Sequence, residues 1–187
     1  MQTFKQTLGL IKADVKARAD LEEKELTPFR IFRLIFKSAS IPVFFYRWQV
    51  FFFQHRMGLI ASLLKLVNNM GFKLIIDSEA EIGPGFLIYH SHCIFIGPNV
   101  KLGKNCHLVH QNTITASPYF SPDVNRSGKG PVIGDGLLLG CGASISGDIT
   151  LGNNVKVAIN STVDESYSDD AVLIGVPARN VSKNNPE

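Results

Sequence analysis

Residues 133–163 read IGDGLLLGCGASISGDITLGNNVKVAINSTV, and an aliphatic residue returns there every six positions: Ile133, Leu139, Ile145, Leu151, Val157 and Val163. The spacing runs upstream through Ile76, Ile82 and Ile88, then Ile96, Leu102, Leu108 and Ile114. The next position is repeatedly small or turn-tolerant, as in Gly83, Gly97, Gly103, Gly134, Gly140, Ser146, Gly152 and Ala158. A period of six fits neither an amphipathic helix nor an alternating strand. It marks a parallel β-helix with three six-residue sides per coil, in which each repeat buries its apolar face only by stacking on the next. Corners at that frequency ask for backbone conformations that Gly, Asn and Asp reach cheaply.

The register makes the repeat a coordinate system. Ile76, Ile82 and Ile88 define one coil, and Ile96, Leu102 and Leu108 the next. Ile88 to Ile96 is a step of eight, so a two-residue insertion is expected to bulge the corner around Ser91–Phe95. Ile114 opens a third coil, yet the next aliphatic position is Ile133, which expels Ala116–Pro131 as a loop. Its Pro, Ser, Gly and charges cannot continue the rungs, and long loops in compact domains are usually functional. The β-helix therefore spans 74–181, followed by a frayed tail over 182–187.

Residues 1–73 read as a helical region. Thr3 to Glu25 mixes Leu8, Ile11, Val15 and Ala19 with charges at helical spacing, and Pro28 is placed to open a second helix. The pattern continues over Phe29–Lys37 and Pro42–Asn69, with Asn68, Asn69 and Gly71 closing it. The run of Phe44, Phe45, Tyr46, Trp48, Phe51, Phe52 and Phe53 is too apolar to face water all round. It should bury against the β-helix, a neighbouring subunit or a membrane. Residues 1–73 hold twelve Lys/Arg against five Asp/Glu, and 74–187 seven against eleven. Such a basic, aromatic end suits peripheral contact with a membrane surface or an anionic glycan; no nucleic-acid partner is expected. Lys37, Pro42, Arg47 and Gln49 interrupt the apolar stretch Leu34–Phe53, which excludes a spanning helix. Three cysteines without framework spacing, and a start too charged for a signal sequence, point to the cytoplasm, at most at the inner face of the membrane.

Counting sides places His90 and His110 at the same position one rung apart, with rungs spaced about 4.8 Å. Cys141 and Ile159 follow in that column, His92 sits in the bulge, and His107 lies within the same two coils. Histidine is the common general base near neutral pH and also the commonest zinc ligand, so a base and a metal site compete for this cluster.

From Tyr46 to Val181 the chain resembles the serine acetyltransferase branch of the hexapeptide-repeat acyltransferases. The resemblance rests on IDSEAEIGPGFLIYHSHCIFIGPNVKLGKNCHLVHQNTIT with its insertion, on PVIGDGLLLGCGASISGDITLGNNVKVAINSTV and on the terminal GVPARNV. It implies a left-handed β-helix, direct transfer from acetyl-CoA without a metal, and a homotrimer with sites at the seams. His90 falls on the family's catalytic base, with His110 supporting it. The family's contacts to CoA fall on Gly142, Ala143, Lys156, Ala158 and Arg179, with Ile159 standing where a small residue is usual. Tyr89 stands where the family has an aspartate, Gly130 where it has a second histidine, and Lys129 where it has an arginine. These departures, with the Gly-Lys-Gly-x-Pro-like loop end and the His110-Gln111 pair, are closest to O-acetyltransferases of surface-polysaccharide synthesis. The expected acceptor is then a sugar hydroxyl, bound by Tyr89, His92, Asp123, Asn125, Arg126 and Lys129. Serine as acceptor, a zinc site of the γ-carbonic-anhydrase kind and a non-catalytic scaffold are the alternatives.

Overall fold

The computed structural model describes residues 1–22, 27–35, 39–116 and 128–182. The rest of the loop, with Asp123, Asn125 and Arg126, and the tail from 183 onward lie outside the described residues. The chain folds as a left-handed parallel β-helix preceded by a helical segment.

Among the described residues fifteen short strands make the three walls of the prism. The first wall stacks β1 (Leu74–Ile76), β4 (Ile94–Ile96), β7 (Thr113–Thr115), β10 (Ser144–Ser146) and β13 (Thr162–Val163). The second stacks β2 (Glu81–Ile82), β5 (Lys101–Leu102), β8 (Val132–Ile133) and β11 (Thr150–Leu151). The third stacks β3 (Leu87–Ile88), β6 (His107–Leu108), β9 (Leu138–Leu139), β12 (Lys156–Val157), β14 (Val172–Gly175) and β15 (Ala178–Asn180). Every pairing is parallel except β14 with β15, which closes the last coil as an antiparallel strand. The expected register holds: Ile88 pairs with Leu108, and Leu102 with Ile133 across the loop. The periodic aliphatics form the interior, where Ile88, Ile96, Leu108, Ile114, Leu139, Ile145 and Val163 have no exposed surface.

The insertion falls inside the expected stretch. His90 N–H donates to the Val109 carbonyl at 3.3 Å, in step with His110, and Gln111 N–H donates to the His92 carbonyl at 3.0 Å, in step with Cys93, so the extra pair is Ser91–His92. His92 N–H donates to the His90 carbonyl at 2.9 Å and closes the tight turn that bulges the corner there. At this third corner a column of left-handed residues turns each coil: Cys93 (φ 55°), Gln111 (φ 56°), Gly142 (φ 70°) and Asn160 (φ 54°). Spacing counts residues between aliphatics and is silent about which two are extra.

Helix α1 (Phe4–Leu21) opens with a capping box: Thr3 Oγ1 accepts from Gln6 N–H, and Gln6 Oε1 accepts from Thr3 N–H. Helix α2 spans Pro28–Ile35. The continuous helix expected from Pro42 is two, α3 (Ile41–Gln54) and α4 (Gly58–Phe72). His55 closes α3 by bonding the Phe51 carbonyl through Nδ1 at 2.8 Å, and Arg56 turns the chain in the left-handed region at φ 59°. Lys73, at φ 51°, ends α4 in place of the expected Asn and Gly residues.

The helices cover the open rung of the first coil. An end coil has no preceding neighbour to satisfy its backbone groups, so something else must. Tyr46 Oη donates to the Ala80 carbonyl at 2.7 Å, and Gln49 Nε2 to the Ile76 carbonyl at 2.9 Å. Arg47 donates to the Ile82 and Gly83 carbonyls, each at 2.6 Å, and Arg18 to the Ile88 carbonyl. Asp14 Oδ1 accepts from the Gly85 and Phe86 amides at 2.9 Å, and its carboxylate pairs with Arg47 at 2.9 Å. Burial pushes the Asp14 carboxyl above the ordinary range, opposed by Arg47 and by those amides. Arg47 and Gln49, which read in sequence as interruptions of an apolar run, are among the most buried polar residues, 2% and 1% exposed.

Only part of the aromatic run meets the β-helix. Tyr46, with Val43 and Val50, joins the prism core. Phe44, Trp48, Phe51 and Phe52 stack among themselves, and Phe4 of α1 packs on Trp48 and Phe51. Among the described residues no helix is long and apolar enough to cross a membrane.

Candidate active site

The third corner, where each coil passes from the third wall back to the first, carries the histidines. The rings of His90 and His110 meet edge to face, centroids 5.9 Å apart at 80°. His90 is exposed and His110 half-buried. The His90 ring has no hydrogen bond among the described residues, so its nitrogens are open to a ligand. His110 Nδ1 is buried without a partner among the described residues, and a hydrogen there would be a donor with no acceptor among them. The geometry favours the tautomer with hydrogen on Nε2. His92, also exposed, lies beside His90 across the tight turn. Cys141 follows one rung below His110, half-buried, and Ile159 below that, 66% exposed.

Asn112 was missed in the sequence and organises this corner. It is fully buried; its Oδ1 accepts from Val109 N–H at 3.1 Å, and its Nδ2 donates to the Gly140 and Ala143 carbonyls at 2.6 and 3.3 Å. A buried Asn in an aliphatic repeat is the one signal that would have flagged it.

Tyr89 turns away from this pair. Its hydroxyl lies 3.5 Å from His107 Nδ1, with the rings edge to face at 6.0 Å. Burial, and then the Arg18 charge, hold His107 below the ordinary histidine range.

The residues matched to CoA contacts lie on the lower coils. Gly142 N–H donates to the His110 carbonyl at 2.9 Å, in the left-handed column. Ala143 is fully buried in the prism, its N–H bonded to Gly140 and its carbonyl taken by Asn112 and Thr113. Ala158 is half-buried, with its N–H given to the Leu173 carbonyl. Lys156 on β12 and Arg179 on β15 are both exposed on the outer surface of the third wall, two strands apart.

The loop returns at a different edge of the prism. Lys129 and Gly130 lie against Asn99 at the first corner, where Asn99 Nδ2 donates to the Gly128 carbonyl at 2.6 Å. A Cβ on Gly130 would come within 2.6 Å of the Asn99 carbonyl oxygen and 2.7 Å of its carbon. Glycine is therefore set here by packing against the coil above. Gly130→Ala is expected to destabilise the protein by about 1–3 kcal/mol, read as a lower urea midpoint with unchanged slope; an unchanged midpoint would refute the packing argument. Among the described residues no group of three or more His, Cys, Asp or Glu is placed to hold a metal ion.

Prism, period and corner define the class: a hexapeptide-repeat, left-handed β-helix with histidines at one edge. No protein-family model matches the chain. Several serine acetyltransferases are among its relatives. The serine acetyltransferase of Synechococcus elongatus is 27% identical over 128 residues, 68% of this chain and 50% of that enzyme, so the chain spans half the length of that relative. Among solved structures, Neisseria gonorrhoeae serine acetyltransferase in complex with serine superposes with a TM-score of 0.78 at 25% identity, covering 94% of this chain and 69% of that one. A serine acetyltransferase in complex with CoA superposes with a TM-score of 0.77 at 20% identity, covering 95% and 70%.

These comparisons correct the expected kinship with surface-polysaccharide O-acetyltransferases and the saccharide acceptor inferred from it. The structure supplies the reason that inference failed. Gly130 is fixed by a steric contact and Tyr89 is engaged with His107, so neither substitution reports on the acceptor beside His90.

Proposed function

We propose that the chain is an acetyl-CoA-dependent serine O-acetyltransferase, of the kind that feeds cysteine biosynthesis. The reading rests on one observation above all: an exposed His90 ring, free of hydrogen bonds within the described chain and braced edge to face by His110, in a coil that superposes on serine acetyltransferases. His90 takes the proton of the serine hydroxyl as that oxygen attacks the thioester carbonyl, and returns it to the departing CoA sulfur. A backbone N–H offered to the developing oxyanion contributes a few kcal/mol in reactions of this class. His92, beside His90, faces the acceptor.

Gly142, at the corner under His110, and Ala158, one coil lower, line the path of the pantetheine arm, while Ala143 serves by being small. Lys156 and Arg179 bind the CoA phosphates, Arg179 as a fork and Lys156 as a mobile charge. The protein works as a homotrimer. The His90 corner and the Lys129–Gly130 corner lie on different edges of one prism, which favours a site that a neighbouring copy completes.

The test is thiol release from acetyl-CoA, with serine and a panel of other hydroxyl compounds as acceptors. Serine-dependent release with formation of O-acetylserine is expected. Release with another acceptor but none with serine would overturn the substrate.

A further inference from the structure

Asn112 sits where three separate pieces of the corner converge. Its side chain grips Val109 N–H above and the Gly140 and Ala143 carbonyls below. The Val109 carbonyl in turn accepts from His90 N–H at 3.3 Å, and the His110 carbonyl accepts from Gly142 N–H at 2.9 Å. A chain of hydrogen bonds therefore runs from the third coil through Asn112 and Val109 to the backbone of His90. The same residue spans the turn that presents His110 at left-handed Gln111. We infer that Asn112 is the positioning residue of the transfer site, locking the Val109–Asn112 corner so that the His90 and His110 rings keep their edge-to-face geometry.

The neighbouring positions in its column show what the fold alone requires. Ile94 occupies the same interior place one rung higher, and Ala143 and Ser161 one and two rungs lower, all buried. Side chains without an amide suffice there for packing, so the amide of Asn112 serves the corner and not the core.

This inference rests on His90 and His110 acting in acetyl transfer, and the experiment separates the two ideas. Asn112→Ser and Asn112→Ala are made in the full chain, Ser being the substitution that the Ser161 position shows the corner accepts. The imidazole resonances are followed in protein labelled at histidine, assigned with His90→Gln and His110→Gln. Both variants are expected to shift the His90 and His110 resonances and leave His55, which bonds Phe51 far along the chain, in place. Turnover is expected to fall about tenfold to a hundredfold, as small misplacements of a reacting group do, with the KM for acetyl-CoA within about twofold. If the two histidines keep their wild-type resonances while only the melting temperature drops, Asn112 is merely structural and the inference fails. If the wild-type chain transfers no acetyl group, the transfer reading fails, while the resonances still decide the positioning.

Discussion

His90→Gln is expected to lower acetyl-transfer turnover by about 10²–10⁴-fold, the usual contribution of a positioned general base, while the protein melts as the wild type does. Such a loss corresponds to roughly 3–5 kcal/mol of barrier. Stability should stay within about 0.5 kcal/mol, because the ring is exposed and holds no hydrogen bond among the described residues. The measurement is kcat for thiol release beside a thermal melt. His110→Gln should cost less, since that ring braces His90 from the side. Turnover that survives His90→Gln would show that the proton leaves by another group, and would return the corner to a purely architectural role.

The largest effect on stability is expected from Asp14→Ala. The carboxylate is 7% exposed and collects four donors: Arg47 through two nitrogens and the amides of Gly85 and Phe86. Removing it leaves Arg47, 2% exposed, without its counter-charge and leaves two buried amides without an acceptor. Breaking one side of a buried ion pair costs about 3–5 kcal/mol. For a chain of this length that is a fall in melting temperature of roughly 6–20 °C. Asp14→Asn, which keeps an oxygen for the amides, should cost less. A double-mutant cycle with Arg47→Met would measure the coupling, and additive losses would mean that the pair contributes nothing as a pair.

The prism was legible because its cause is periodic. An aliphatic residue every six positions is what three walls around one axis require, and the pairing of Leu102 with Ile133 could be read across the loop. What escaped was aperiodic. The helix break after Gln54 rests on a His55 side chain turning back to Phe51, a contact that propensity does not encode. Among the caps on the first coil are Arg47 and Gln49, residues that look like defects in an apolar pattern until the unpaired carbonyls they serve are in view, and Arg18, which reads as one more charge on a solvated helix. At the site the histidine column was readable from register, whereas Asn112, whose partners lie on the next coil, was not. The acceptor was misjudged because Tyr89 and Gly130 were read as chemistry when their causes are orientation and space.

The helical cover on the first rung has a second consequence, for the protein's life in a crowded solution. A stack of parallel strands is a template at both ends: a bare terminal rung offers its row of N–H and C=O groups to any other strand, including the same rung of another molecule. Here one end is occupied by side chains of α1 and α3, and β15, running backward across β14, faces the other. These stoppers oppose end-to-end growth of the solenoid, fully over the first rung and along the third wall at the other end. Loosening the helices, as Asp14→Ala should, would then expose a growing end before it exposed the core.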